Sequence, residues 1–487
     1  MVTETATVRG LLIAGKQEQA AGGKTFDTVN PATGEVIAQV AKAGREDVDR
    51  AVRAARQAFD EGPWPWTAAS ERGRVLLRTA ALIRERAEEL AQLEMRNGGK
   101  TISDARDEVL GAASCFEYYA GACTRIMGET IPVSAPGLDM TLRQPVGVCV
   151  QIVPWNFPIV MAAWKMAPAL AAGCTTILKP AGQTPLTALV LGELLYQAGI
   201  PEGVVNILPG PGSTTGDALI HHPLIDKIAF TGSTEVGQTV MHAAADGIKR
   251  VSLELGGKSP SIVFGDVDIE SVVDQSVYSV FANAGQDCCA RSRFLVDEEI
   301  VEPFTAALVE RVRRLRVGDP ADESTEIGPL ISSDQRERVE GYLELGQHEG
   351  AQLACGGTRP QDPDLARGFF LEPAVLTDVH NDMRVAQEEI FGPVVAVIPF
   401  RDEEEAIRLA NDSAYGLSGS LWTRDIGRAV RVMQRVRTGV LGVNSIRSVF
   451  IEAPFGGFKM SGIGRELGMK ALDLYTEVKN VYIACEL

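Results

Sequence analysis

Val146-Gly147-Val148-Cys149-Val150-Gln151-Ile152-Val153, followed by Pro154-Trp155-Asn156-Phe157-Pro158, decides the fold class. The first eight residues are mostly β-branched and apolar, as in a strand covered on both faces. Two prolines then fix a bend, and 158–172 continues as a helical stretch. The same unit repeats downstream. Strands are expected at 175–178, 204–208 and 227–230, and helices at 185–198, 213–220 and 236–245. Such apolar strands alternating with amphipathic helices predict an α/β fold with a doubly wound parallel sheet. Ligands of these sheets bind at the carboxyl ends of the strands, so the loops that follow them are candidate sites.

On the amino-terminal side, Asn30-Pro31-Ala32-Thr33-Gly34-Glu35 reads as a hairpin turn between two alternating runs. Val48, Ala51, Val52, Ala55 and Phe59 have helical spacing over 46–59. Ser70 is placed to cap a longer helix carrying Val75, Leu76, Ala80, Ile83, Ala87 and Leu90, stopped by Asn97-Gly98-Gly99. Another helix is expected at 103–118. Residues 126–145 are extended, with Pro132 and Pro136, and read as a ribbon suited to pairing with another subunit. On the carboxyl side, a second α/β set begins after Val251, with strands at 261–264 and 293–296 and helices at 269–284 and 301–315. The extended stretch 475–484 is a candidate partner for the ribbon.

A chain of 487 residues implies two or three domains. A net charge of −17 argues against nucleic acid and anionic lipid as partners, both of which require a basic face. Residues 1–20 carry no basic segment before a long apolar run, so no export signal is expected. The apolar stretch 160–173, interrupted by Lys165 and Pro168, is too short for a membrane span. Eight cysteines without CxxC spacing suit a reducing cytoplasm. Five histidines without paired spacing give no metal site.

Five segments carry candidate chemistry. Gly285 in Asn283-Ala284-Gly285-Gln286-Asp287-Cys288-Cys289-Ala290-Arg291 provides a turn that can bring a thiol into a cleft. Buried cysteine as a small hydrophobe is the plain alternative. Phe230-Thr231-Gly232-Ser233-Thr234-Glu235-Val236-Gly237 offers free N–H groups to a phosphate, although it is not a GxGxxG motif. Lys179 ends the second strand, where it either meets a ribose or phosphate or is simply solvated. Asn156 is an oxyanion donor or a helix cap, and Glu254, before Gly256-Gly257-Lys258, is a general base or a surface carboxylate.

Over essentially its full length the chain resembles the aldehyde dehydrogenase superfamily. The resemblance rests on Pro154-Trp155-Asn156-Phe157-Pro158, Phe230-Thr231-Gly232-Ser233-Thr234-Glu235, Glu254-Leu255-Gly256-Gly257-Lys258, Gly285-Gln286 with Cys288, Glu388-Glu389-Ile390-Phe391-Gly392-Pro393, and Pro454-Phe455-Gly456-Gly457 continuing to Gly468. It implies a non-acylating enzyme that oxidises an aldehyde to a carboxylic acid through a thiohemiacetal and a thioester. Cys288 would be the nucleophile, Glu254 the general base, and Asn156 with the Cys288 N–H the oxyanion donors. Ile152, Pro154, Trp155, Lys179, Gly182, Phe230, Gly232, Ser233, Val236, Leu255, Glu389 and Phe391 would bind NAD. Asp107, Gly111, Phe157, Met161, Trp164, Asp287, Cys289, Val449 and Phe455 would form the substrate pocket. The implied organisation is a Rossmann-like cofactor domain (1–125 and 146–253), a catalytic α/β domain (254–469) and an oligomerisation ribbon (126–145 and 470–487). A homodimer or homotetramer follows.

Two departures from the family pattern matter, and the pocket residues bear on the substrate. NAD-preferring members often carry glutamate at the Gly182 position, so NADP is expected to be tolerated beside NAD. Asp287 adjoins the nucleophile, where its charge opposes a thiolate, with Arg291 near enough in sequence to offset it. An aromatic tunnel with Asp107 and Asp287 suits an aliphatic or an amino- or betaine-type aldehyde, whereas Arg447 points to a carboxylated semialdehyde. An acylating enzyme that passes its product to CoA is disfavoured by Glu254. A non-catalytic binding protein on this fold is disfavoured by the joint presence of Cys288, Glu254 and Asn156.

Overall fold

The computed structural model describes residues 8–485; the outermost ends of the expected cofactor domain (1–7) and ribbon (486–487) lie outside it. Five strands form the parallel centre of the first sheet, in the order Arg250–Glu254, Lys227–Thr231, Val148–Ile152, Thr175–Lys179 and Val205–Ile207. Val148, Val150 and Ile152 pack into one core with Ile228, Leu253 and Val240. The other face is covered by the helices Pro158–Ala172 and Leu186–Gln197, on which Ala87–Gly98 and Ile102–Ala122 pack in turn, in one core that includes Val109, Phe116, Leu170 and Leu194. Burial on both faces explains why these strands read as continuous apolar runs.

The edges of this sheet are not parallel. Leu11–Ile13 and Lys16–Glu18 add an antiparallel hairpin on one side, and Gly462–Ile463 pairs antiparallel with Arg250–Glu254 on the other. The boundary expected at residue 254 is therefore crossed by a late segment. Strands this short carry too little pattern to be seen in sequence.

The second sheet runs Gln352–Cys355, Ala374–Thr377, Val394–Phe400, Arg293–Asp297, Pro260–Val263, Ser420–Trp422 and Gly442–Val443, parallel except at the first pair. It has a core of its own, including Ile262, Leu295, Val397 and Leu421. Gly137–Pro145 and Thr476–Ala484 pair antiparallel through nine residue pairs, from Pro145 with Thr476 to Gly137 with Ala484. The expected pairing of the ribbon with the chain's last extended stretch is thus present within one subunit.

Two helices differ from expectation. The long helix begun near Ser70 is two, Ala69–Glu85 and Ala87–Gly98, separated at Arg86 (φ −108°, ψ 22°), and Ser70 lies inside the first turn, not at the cap. Ile83 and Leu90 are seven residues apart, two helical turns, so the apolar stripe continues across the break and hides it. The helix expected over 269–284 ends at Phe281. Asn283, Ala284 and Gly285 then take φ of 51°, 55° and 69°, so three successive residues lie in the left-handed region. For the two non-glycine residues this costs of the order of 1–2 kcal/mol each. The turn aims the chain at the expected nucleophile.

Candidate active site

Three cavities meet near the carboxyl end of the first sheet. The largest, about 920 Å³, is lined by Ile152, Pro154, Trp155, Lys179, Gly182, Phe230, Gly232, Ser233 and Val236, all expected cofactor residues. They come from the ends of three adjacent parallel strands and the loops after them. A second cavity of about 430 Å³ shares Pro154, Trp155, Thr231, Gly232 and Ser233 with the first and adds Asn156, Glu254, Leu255, Cys288, Glu389 and Phe391. A third, about 310 Å³, is lined by Asp107, Phe157, Met161, Trp164, Asp287, Cys289, Val449 and Phe455, with Cys288 and Glu254 again. Of the expected substrate-pocket residues only Gly111 is outside it. A side chain there would meet Val160 Cγ2 at 3.7 Å, because Val160 stands between that turn of the helix and the tunnel.

The local geometry fits a dinucleotide. Ser233 caps the helix Thr234–Gly247, its Oγ accepting from Val236 N at 3.4 Å, so the helix start and its free N–H groups face both cavities. The hydroxyls of Thr231 and Thr234 are buried there without a hydrogen-bond partner. Lys179 is buried, contrary to its plain alternative as a solvated lysine. Its Nζ donates to Pro180 O at 3.0 Å, and burial pulls its ammonium down to about 8. Glu389 accepts from Gly257 N at 2.9 Å, and burial pushes its carboxyl up to about 7. A side chain at Gly256 would come within 2.3 Å of Glu389 Oε2, so glycine is needed for this approach. Phe391 (φ 60°) packs edge-on against Trp155, ring centres 5.2 Å apart.

Asn156 is not the cap of the following helix. Its Nδ2 donates to Gln286 O at 2.9 Å, which leaves its second amide hydrogen for the cavity it lines with Cys288. The Asn156 carbonyl accepts from Asn283 Nδ2 at 3.0 Å, which joins its loop to the left-handed turn before Cys288. The Cys288 thiol is held well above its ordinary value by its hydrogen bond with Cys289, then by burial and by Asp287. Burial also raises Asp287, whose Oδ1 accepts from Cys289 N at 2.8 Å. Arg291 partly offsets that rise, but its guanidinium bonds elsewhere: to Cys289 O at 2.7 Å and Ser448 Oγ at 2.6 Å among others.

Glu254 is buried, and burial followed by the charge of Glu466 drives its carboxyl well above the ordinary range. A side chain at Gly456 (φ 155°) would approach Glu254 Oε1 to 2.7 Å. Glu466 is itself paired with Lys165 inside the protein. Arg447, by contrast, is exposed and does not line the tunnel, so it is not placed to meet a carboxylated substrate there.

The loops 154–157 and 231–235 thus converge, and the strained turn before Cys288 presents a half-buried thiol where they meet. The profile of the Aldehyde dehydrogenase family matches residues 18–481. The chain belongs to the aldehyde dehydrogenase family. Betaine aldehyde dehydrogenase of Bacillus subtilis (strain 168) is 46% identical over 482 residues, spanning 99% of this chain and 97% of that protein. Human mitochondrial aldehyde dehydrogenase is 46% identical over 477 residues, 97% of this chain and 91% of that one. Among solved structures, the NAD+ complex of a Bacillus cereus aldehyde dehydrogenase superposes with a TM-score of 0.96 at 46% identity, covering 99% and 97% of the two chains. Staphylococcus aureus betaine aldehyde dehydrogenase in complex with NAD+ gives 0.97 at 41% identity, covering 98% and 95%. Fold and reaction class agree with the sequence reading: a mixed α/β aldehyde dehydrogenase that acts on small aldehydes. No helix among the described residues is long and apolar enough to cross a membrane.

Several site residues escape sequence reasoning. Gln335 donates through Nε2 to Phe391 O at 2.8 Å, and Arg338 to Glu389 O at 3.0 Å, so the helix Ser333–His348 holds the loop bearing both residues. Phe26, Asp27 and Thr28, on the strand Thr25–Val29 that pairs antiparallel with Val36–Ala41, line the cofactor cavity. Glu94, Lys100 and Glu108 lie beneath the Asn156 loop. None has a sequence neighbour that marks it. For Glu466, the only available signal is a charge at the end of a glycine-rich stretch.

Proposed function

We propose that this enzyme oxidises an aldehyde to its carboxylic acid with NAD, through a thioester on Cys288. The observation that carries the assignment is that Cys288 and Glu254 line both the second cavity and the tunnel. When bound, the nicotinamide of the cofactor supplies the hydride acceptor. Lys179 and the Ser233 helix start would hold its ribose and phosphates, and Glu389 the second ribose. The cavity volume, the orphaned Thr231 and Thr234 hydroxyls and the buried Lys179 ammonium support that fit.

Cys288 Sγ attacks the carbonyl carbon, and the developing oxyanion accepts from Asn156 Nδ2 and the Cys288 N–H. One such donor contributes about 3 kcal/mol to the barrier. The thiol starts protonated, so its proton passes to water before or during attack, as the S–C bond forms. Glu254 takes a proton from the water that cleaves the thioester, and its raised affinity for that proton makes it an effective base once ionised. Because the carboxyl oxygen Glu254 Oε2 is buried without a partner, it is free to accept from water.

The tunnel, walled by Phe157, Met161, Trp164 and Phe455 with Asp107 at an exposed position, favours an aliphatic or an amino- or betaine-type aldehyde. Gly182 leaves space in the cofactor cavity, where an added side-chain carbon would meet nothing nearer than the Phe26 ring at 4.0 Å, which supports use of NADP as well. The apolar side chains that the ribbon exposes, Leu138, Leu142, Val478 and Ile483, support a homodimer or homotetramer. Eight unpaired cysteines support a cytoplasmic location. We assign 1–125 with 146–253 to the cofactor, 254–469 to catalysis, and the ribbon to assembly.

The test is cofactor reduction on short aliphatic, long aliphatic, aromatic, betaine-type and succinic-type aldehydes, with NAD and with NADP, for the native enzyme and Cys288→Ala. Turnover of an aliphatic or cationic member, lost by at least about 10⁴-fold in Cys288→Ala, is expected. Turnover concentrated on the succinic member would overturn the substrate assignment, and activity retained in Cys288→Ala would overturn the mechanism.

A further inference from the structure

We propose that Lys100 is a positioning residue for the oxyanion donor, holding the Asn156 main chain from beneath so that its amide stays aligned with Cys288. This rests on the role given above to Asn156. Lys100 lies between the helices Ala87–Gly98 and Ile102–Ala122, remote from Asn156 in sequence. Its side chain is buried, and its Nζ donates to the Asn156 carbonyl at 2.9 Å. The same ammonium pairs with Glu108, lies 4.0 Å from Glu94 Oε1, and sits over the Phe157 ring, 4.8 Å from its centre.

Both carboxylates are tied to the adjoining backbone. Glu94 Oε1 accepts from Ile159 N and Glu108 Oε1 from Val160 N, each at 3.3 Å, at the start of the helix Pro158–Ala172. These are N–H groups that a helix cannot satisfy internally, and an anion is favoured at that end. Three side chains, one each from the helices Ala87–Gly98 and Ile102–Ala122 and Lys100 from the link between them, therefore fix 156–160 at the Asn156 carbonyl, the Phe157 ring and two amides. From the opposite side, the turn before Cys288 grips the same residue through Asn283 Nδ2 on its carbonyl and Gln286 O on its amide. Asn156 is thus clamped between the lysine and the nucleophile loop.

A buried lysine among carboxylates is a poor way to gain stability, because apolar side chains of similar volume do as well or better. Burial pulls the Lys100 ammonium down to about 8, with Glu94 foremost among the groups that hold it up. What a lysine supplies here, and an apolar residue does not, is a directed donor to one carbonyl. A shift of about 1 Å in a catalytic group is enough to cost about 10²-fold in rate.

A double-mutant cycle on the full-length enzyme tests this. Lys100→Met, Asn156→Ala and the pair are compared by steady-state turnover and by the rate of the first cofactor reduction. Asn156→Ala is expected to slow the reaction by about 10²–10³-fold. Lys100→Met should slow it by about tenfold or more through kcat, with the cofactor KM within about threefold of native. The pair should be no more than about threefold slower than Asn156→Ala alone, because Lys100 acts through Asn156. A merely structural lysine would lower stability yet leave the two losses multiplicative, and that result overturns the proposal while sparing the role of Asn156. If Asn156→Ala keeps the native rate, the oxyanion assignment fails, and the positioning role with it. Should Lys100→Met not fold, Glu108→Gln, which keeps its shape but loosens the ammonium, is carried through the same cycle, with the same sub-multiplicative result expected and the same multiplicative result overturning.

Discussion

The cofactor cleft and the floor beneath the nucleophile are built in opposite ways. The cleft takes its walls from the ends of neighbouring strands, each followed at once by its own loop: Pro154 and Trp155 after one, Lys179 and Gly182 after the next, Gly232 and Ser233 after a third. The floor buries charged side chains against one another: Lys100 with its near neighbours Glu94 and Glu108 under the remote Asn156 loop, and Lys165 with the distant Glu466 beside Glu254. The cleft binds with backbone and helix ends, whereas the floor places charges inside the protein. Changes in the cleft should therefore alter cofactor choice, and changes in the floor should alter rate and stability together.

The largest effect should come at the junction. Glu254→Gln keeps the shape but removes the base, and steady-state turnover should fall about 10²–10⁴-fold, read as cofactor reduction. A native rate in that variant would detach the floor from catalysis. Next, Lys165→Met leaves Glu466 buried without its partner. A loss of about 3–5 kcal/mol in urea unfolding is expected, and a loss below about 1 kcal/mol would mean that the pair is solvated or dispensable.

How much of this was legible in sequence follows the same division. Strand–loop–helix units announce themselves through period and turn chemistry, so the doubly wound sheet, the ribbon pairing and the loops that line the cleft could be named beforehand, whereas most individual cleft residues came from the family resemblance. The break at Arg86 was hidden by an apolar stripe in phase on both sides. The turn at Asn283 and Ala284 was hidden because neither residue type demands a left-handed backbone; the hydrogen bonds to Asn156 and Gln286 that hold it form only in the fold. Buried lysines are invisible for a related reason. Lys100 and Lys165 look like surface cations until the tertiary structure supplies their carboxylates. Arg447 shows the reverse error, since its place near the expected pocket in sequence did not bring it into the tunnel.

Smaller effects sharpen the comparison further. Cys289 first, and then burial and Asp287, raise the Cys288 thiol, so alkylation of Cys288 by iodoacetamide should accelerate as pH rises. Cys289→Ala and Asp287→Asn should each move that profile to lower pH, since each removes a group that opposes the thiolate. An unmoved profile in both would leave the assigned causes wrong. In the cleft, Gly182→Glu should cut the NADP-to-NAD preference ratio by about tenfold, equal to about 1.4 kcal/mol, with turnover on NAD little changed. An unchanged ratio would show that Gly182 does not face the adenosine ribose.

The central claim is that Cys288 carries the acyl group and Glu254 releases it. Glu254→Gln mixed with aldehyde and NAD should give a rapid burst of about one reduced cofactor per subunit, with the acyl mass found by peptide mass spectrometry on the fragment holding Cys288. A burst without any adduct on that fragment, or an adduct on Cys289 instead, would contradict it.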